Sequence, residues 1–347
     1  MTIKQIFQDG VDHKASDIHI LNDEPPIIRV LGKLSRLDKY GVINKKKAED
    51  LVLSILSPKQ KEKYLTNREL DLAYQLETGE RFRINLHFEK GSPSLVARII
   101  STKIPTMEEI LMPDIVFQLS RLHQGLIIIT GPTGCGKSTS LAAIINMINN
   151  ERACNIITLE DPIEYVFAPK KSIIRQRQYG FDFLSFPDAL KHVLRQDPNV
   201  IMVGEMRDLE TIASTITLAE TGHLVLATLH TPNAAQTIDR IIDIFPPHQQ
   251  EQIRMQLSMS LVGVIAQQLI PAKDGKGRVT SREIMINTPA VANLIRENKI
   301  AQLKTVIQTS SDESMMTMDQ SLDRLTKEGL IDKETAGQYI TNGTTIK

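Results

Sequence analysis

Residues 125–141 read GLIIITGPTGCGKSTSL: an apolar run, a glycine-rich turn and a helix-forming run in unbroken succession. Leu126 to Ile129 suits a buried strand, Ser140 to Ile148 suits a helix, and the G-x-x-x-x-G-K-S between them is a P-loop in the context a P-loop requires. Glycines at 131, 134 and 136 let the backbone turn successive N–H groups toward one point, where the positive end of the helix dipole adds to the field. Such a point selects a polyphosphate. The expected ligand is ATP, cradled by Gly131, Pro132, Thr133, Gly134, Cys135, Gly136, Lys137, Ser138 and Thr139. Lys137 would reach the outer phosphates, and the Ser138 hydroxyl would meet Mg²⁺, which prefers hard oxygen ligands.

A strand that feeds a helix through such a loop commits the surrounding chain to an α/β fold. Short apolar runs alternate with helical patterns after residue 114: LIIIT, NIITLE (155–160), PNVIMVGE (198–205) and HLVLATLH (223–230), with helices expected from Leu209 and Asn233. Continuous apolar strands separated by helices mean a parallel sheet covered on both faces, with the ligand at the strand carboxyl ends. From Pro247 onward, QQEQIRMQLSMSLVGVIAQQLI predicts one long amphipathic helix, and the rest to Ile340 predicts helices with one strand near Arg282–Ile286.

The first hundred residues have another rhythm. ASDIHIL (15–21), IIRVLGKLSRL (27–37), DLAYQLE (71–77), RFRINLHF (81–88) and SLVARII (94–100) predict strands, and Lys45 to Leu56 predicts a helix. The expected division is an α+β domain over 1–102, a linker over 103–114 and a nucleotide-binding core with a helical C-terminal part over 115–347. In 81–88 the alternation puts Phe82, Ile84, Leu86 and Phe88 on one face and Arg81, Arg83, Asn85 and His87 on the other.

Composition narrows the function classes. Lys+Arg 41 equals Asp+Glu 41 in the 347 residues, and there is no Trp, which argues against a protein whose main partner is nucleic acid. No apolar run approaches the ~18 residues of a membrane span, and the N-terminus lacks a signal-peptide core. A soluble, cytoplasmic protein is the expectation. The two cysteines, Cys135 and Cys154, make neither a disulfide framework nor a zinc site.

Acidic, imidazole and cationic groups follow the strands. Glu205, just past PNVIMVG, is the candidate general base or water-orienting group. LEDPIEY adds Glu160, Asp161 and Glu164 at another strand end, with Ser138, Glu160 and Asp161 as the expected Mg²⁺ set. His223 and His230 bracket one strand; seven residues apart, they point to opposite faces in an ideal strand, so at most one should touch the phosphates directly. Hydrolysis in such sites gains from a cationic finger. Arg195 and Arg207 in the core and Arg81, Arg83 and Arg98 in the first domain are candidates, and spacing does not choose among them.

Together ASDIHI, GERFRIN, GPTGCGKST, ITLEDPIEY, VGEMRDLETI, AETGHLVLATLHT and VANLIRE, in that order, resemble the secretion and pilus ATPases, and within them most closely the type IV pilus retraction ATPases. The resemblance implies a PAS-like N-terminal domain, a RecA-like core and a homohexamer with ATP between the domains. It implies roles for Glu205 and Glu164, places His223 and His230 in the site, and brings Arg81, Arg83 and Arg98 to the phosphates. The implied function is a cytoplasmic motor for pilus retraction. It would act at the inner membrane through a platform protein, without inserting in the bilayer itself, and possible partners include a paralogous retraction ATPase. Alternatives are an accessory ATPase or nucleotide-switched adaptor at the pilus base, a pilus-extension or secretion ATPase, and a nucleic-acid translocase. The four-cysteine element of the extension relatives is not in the sequence, which favours retraction. Two positions depart from the family pattern: Cys135 stands where Ser is usual, and Ala292 stands where AIRNLIRE has Arg.

Overall fold

In the computed structural model, which describes residues 1–30, 32–100, 103–275 and 277–340, the chain divides into two compact units, Met1–Lys103 and Ile104–Lys347. Leu31, within one expected strand, and residues 101 and 102, at the end of the expected first domain, lie outside the described residues.

The first unit runs α1 (Ile3–Asp12), β1 (Asp17–Ile20), β2 (Ile27–Val30), β3 (Lys33–Arg36), α2 (Lys45–Leu53), α3 (Pro58–Asn67), β4 (Glu69–Gln75), β5 (Arg81–Glu89) and β6 (Ser92–Ile100). Its strands form one sheet in the order β3-β2-β1-β6-β5-β4, with every pairing antiparallel. Alternation in β5 works as its sequence requires. Phe82, Ile84 and Leu86 are buried with Ile3, Ile6 and Phe7 of α1 and Ala48, Leu51 and Val52 of α2, and the Phe7 and Phe82 rings stack at 4.6 Å. The opposite face carries the arginines. The single strand expected over 27–37 is instead a hairpin of β2 and β3 that turns at Gly32. Two helices lie outside the expected elements, although both carry sequence signals: Thr2 with Gln5 and Ser57 with Gln60 form capping boxes at the starts of α1 and α3.

The second unit continues with α4 (Asp114–Ser120), β7 (Gly125–Thr130), α5 (Lys137–Glu151), β8 (Asn155–Glu160), β9 (Ile173–Gln178), α6 (Phe186–Val193), β10 (Val200–Val203), α7 (Leu209–Glu220) and β11 (Leu224–Thr228). After these come α8 (Ala234–Asp243), α9 (Pro247–Ser260), β12 (Leu261–Pro271), β13 (Arg278–Ile286), α10 (Pro289–Arg296), α11 (Leu303–Thr309), α12 (Met318–Lys327) and α13 (Lys333–Tyr339). The seven-stranded sheet has the order β13-β12-β7-β11-β10-β8-β9. All its pairings are parallel except β12 with β13. Every residue of β7, β8, β10 and β11 is buried, as a sheet covered on both faces demands. Alternate residues of β7 serve separate cores: Leu126 and Ile128 pack beneath α6 to α9, whereas Ile127 and Ile129 pack against α5.

Two departures matter for the site. The long helix expected from Pro247 stops at Ser260, and Leu261–Pro271 is the strand β12, parallel to β7. Its apolar residues fit a helical period as well as a strand. β-Branched Val262, Val264 and Ile265 favour the strand, and the open edge of β7 completes it. The stretch expected as a linker also packs: Met107 and Met112 are buried in the second core. There the Arg282 guanidinium of β13 donates to the carbonyls of Ile110 and Leu111 at 2.9 Å each.

Candidate active site at the strand ends

The loop after β7 closes where backbone meets backbone. A Cβ on Gly131, whose φ is +140°, would stand 2.3 Å from the carbonyl oxygen of Gln267 and 2.8 Å from Cys135 Sγ. Gly134 and Gly136 also have positive φ, and Gly136 caps α5 without a side-chain hydrogen bond. The first N–H groups of α5 therefore have no side-chain acceptor and suit an anion. Lys137 is only 9% exposed. Its Nζ donates to Gly131 O at 2.7 Å and Pro132 O at 3.2 Å, and lies 3.3 Å from His230 Nδ1. Burial pushes the Lys137 ammonium below its ordinary pKa and the Cys135 thiol above its own. A buried, protonated Cys135 resists oxidation better than an exposed thiolate would.

Gln267 of β12 braces the loop. It is 1% exposed, donates from Nε2 to Cys135 O at 2.9 Å and accepts from Ser140 Oγ at 2.9 Å. The sequence had placed Gln267 inside a helix, and only the pairing of β12 with β7 reveals its role. Gln267→Leu leaves a buried carbonyl and a buried hydroxyl unpaired, and each such group costs about 1–3 kcal/mol. A lower thermal unfolding midpoint and weaker binding of a fluorescent ADP analogue are expected.

Parallel register brings the other groups to the same end. Val203 of β10 pairs with Leu159 of β8 and Ala227 of β11, and Thr228 pairs with Ile129 of β7. Glu160, Glu205, His230 and the P-loop therefore leave neighbouring strands side by side. They line a cavity of about 700 Å³ together with Asp161, Glu164, Arg207 and Arg278. Glu205 lies 3.1 Å from His230 Nε2 and 2.8 Å from Arg207 Nη2, so Lys137, His230 and Glu205 form one chain of contacts. Burial tends to raise the Glu205 pKa, but the bonds from Arg207 and the charge of His230 outweigh it and hold the carboxyl below its usual range. Arg207 also lies 4.0 Å from Asp161. Glu160 is 6% exposed; burial raises its pKa, while Thr158 Oγ1 and Gln176 Nε2 donate to it at 2.6 and 3.1 Å. Thr139 Oγ1 meets Tyr165 Oη at 2.9 Å.

Not every expected residue arrives. His223 precedes β11 at the end remote from the P-loop, where its Nδ1 lies 3.0 Å from Leu218 O, so the chain's own fold brings only His230 of the pair to the loop. Arg195 sits in the turn before β10 and does not line the cavity. Arg207 lines it as the partner of Glu205. Arg81, Arg83 and Arg98 belong to the first unit, on β5 and β6. Tyr165, the last residue of LEDPIEY, and Arg278, which no local pattern marks, also line the cavity.

Residues 103–331 match the family described as type II/IV secretion system proteins. The chain belongs to this family. Among the relatives of this secretion ATPase is a twitching motility protein of Neisseria gonorrhoeae, 46% identical over 91% of the chain and 84% of the relative. Another is the type IV pilus retraction ATPase PilT of Pseudomonas aeruginosa, 44% identical over 97% of each. A crystal structure of the pilus retraction motor PilT with bound ADP superposes with a TM-score of 0.93 at 43% identity, over 99% of the chain and 98% of that structure. An α+β unit followed by a RecA-like ATPase core is thus the family's architecture. Among the described residues no helix is long and apolar enough to cross a membrane.

Proposed function

We propose that this secretion ATPase is an ATP-hydrolysing motor for type IV pilus retraction, working as a homohexamer. It would act at the cytoplasmic face of the inner membrane through a platform protein at the pilus base. The observation that carries the reading is the contact chain Lys137–His230–Glu205 across the mouth of the phosphate cradle, in a chain similar over almost its whole length to a pilus retraction ATPase. Lys137 and the loop amides hold the β- and γ-phosphates. Glu205, ionised by virtue of Arg207, orients the attacking water and takes its proton as the bond from the γ-phosphorus to the bridging oxygen breaks; ADP and phosphate leave. His230 touches both the phosphate-binding cation and the base, which suits it to register the departure of the γ-phosphate.

The donor set fits Mg²⁺. Ser138, Glu160, Asp161 and Glu164 offer only hard oxygens toward the cavity, and a cation would relieve the cost of ionising buried Glu160. They are not a closed cage, since among the described residues no three His, Cys, Asp or Glu side chains cluster as a metal site. Mg²⁺ usually relies on few carboxylates plus substrate phosphates. When bound, it would neutralise charge on the phosphate oxygens. Arg81, Arg83 and Arg98 are the candidate cations for stabilising the charge on the transferring phosphoryl group.

Purified protein should hydrolyse ATP in the presence of Mg²⁺, and deleting its gene alone should stop pilus retraction in a cell that otherwise twitches. Continued retraction at the normal rate in the deletion strain would overturn the motor reading in favour of an accessory or adaptor role.

A further inference from the structure

Sheet register in the first unit sets four side chains in one row across four strands. Arg83 of β5 pairs with Arg98 of β6, Arg98 with Asp17 of β1, and Asp17 with Arg29 of β2. Neighbouring strands lie about 4.8 Å apart, so three guanidinium groups share this face with one carboxylate. Asp17 is only 8% exposed and its carboxylate is fully engaged. It accepts from Arg98 Nε at 2.9 Å and Ser16 Oγ at 2.8 Å, with Arg29 Nε at 3.7 Å. Burial alone would raise its pKa, but these partners hold it below the usual range. Arg98 differs sharply from its anchor. Its side chain is 70% exposed, and no described residue accepts from its two terminal nitrogens.

We infer that Asp17 is a positioning residue, anchoring Arg98 through Nε so that the two terminal nitrogens stand as a preset fork for the phosphate chain of a bound nucleotide. The inference rests on the proposal above that these arginines stabilise the charge on the transferring phosphoryl group. A free arginine must freeze several torsions when it binds phosphate, whereas one held at Nε has already lost that freedom. The guanidinium has five N–H donors in a rigid plane, so the anchor uses the inner edge and leaves a bidentate edge outward. Asp17 also offsets repulsion within the row, which lets Arg83 and Arg98 stand side by side. The side chains of Arg81 and Arg83 have no ion pair or hydrogen bond among the described residues, so Arg98 is the one arginine of the three whose direction is set in advance.

The test is steady-state ATPase kinetics on Asp17→Asn, Arg98→Ala, their double variant and Arg98→Lys, with thermal unfolding and ADP affinity measured alongside. Asp17→Asn should lower kcat about tenfold or more, the scale on which mispositioning acts, with ADP affinity nearly unchanged. Combined with Arg98→Ala it should add nothing further. Arg98→Lys, at an exposed position that leaves folding intact, should be as slow as Arg98→Ala, because an ammonium cannot be held at one edge and offer a fork at the other. A full effect of Asp17→Asn in the Arg98→Ala background would overturn the tether, as would wild-type kcat in Asp17→Asn or in Arg98→Lys. Wild-type kcat in Arg98→Ala would instead remove the phosphate role on which the tether depends, whereas an inactive wild-type protein would sink the motor reading itself.

Discussion

Lys137→Ala should abolish ATP turnover in the purified protein, with kcat falling at least about 10²–10³-fold, the range seen when one preorganised electrostatic group is removed from a transition state. The structure makes the loss severe for two reasons. Lys137 is a buried ammonium whose contacts are the carbonyls of Gly131 and Pro132 and the His230 ring, whereas Arg207 in the same cavity is engaged by Glu205 and Asp161. Truncation also leaves those two carbonyls without their donor. Nucleotide affinity should fall with the rate, because the same charge serves ground and transition states. A Lys137→Ala protein that hydrolysed ATP at even a tenth of the normal rate would mean that the phosphates are held elsewhere.

Glu205→Gln should separate binding from chemistry. The amide has nearly the same shape as the carboxylate, and its oxygen can still accept from Arg207. It cannot take a proton from water. Loss of a general base typically costs about 10²–10⁴-fold, so kcat should fall on that scale while ATP remains bound. A filter or fluorescence assay would find ATP retained on Glu205→Gln and lost from Lys137→Ala. Turnover at the wild-type rate in Glu205→Gln would remove Glu205 from the reaction and point to the LEDPIEY carboxylates. Arg207 is exposed and can serve either partner, 2.8 Å from Glu205 and 4.0 Å from Asp161, so Arg207→Ala should return the Glu205 pKa toward its ordinary value.

What could be read from the sequence was local. The P-loop is encoded in eight consecutive residues with a strand before and a helix after, and Glu205 and His230 follow apolar strands whose direction fixes where they emerge. The parallel core strands are continuous runs that no helix would bury so completely. Residues whose roles depend on distant partners were invisible. Gln267 has no motif, and its strand was hidden because Leu261, Val264 and Ile265 satisfy a helical period as well as a strand. The tie from Tyr165 to Thr139 and the reach of Arg278 into the cavity likewise exist only once the sheet is assembled. For the histidines the odd interval allowed one at most, but strand length rather than face decided which. His223 lies at the start of β11 and His230 just beyond its end. The helices α1 and α3 are absent from the apolar patterns, although capping-box pairs three residues apart mark their starts.

β12 has a consequence for how the protein comes into being on the ribosome. The first unit is closed by β6 at Ile100, so its sheet can form while the core is still being made. The loop that follows β7 is different, because the side chain that accepts from Ser140 and donates to the Cys135 carbonyl arrives 132 residues after that cysteine. At elongation rates of about 5–20 residues per second, that interval is on the order of ten seconds. Through it the phosphate loop lacks the strand that holds its shape, and the open edge of β7 is the surface a nascent chain must keep from other strands.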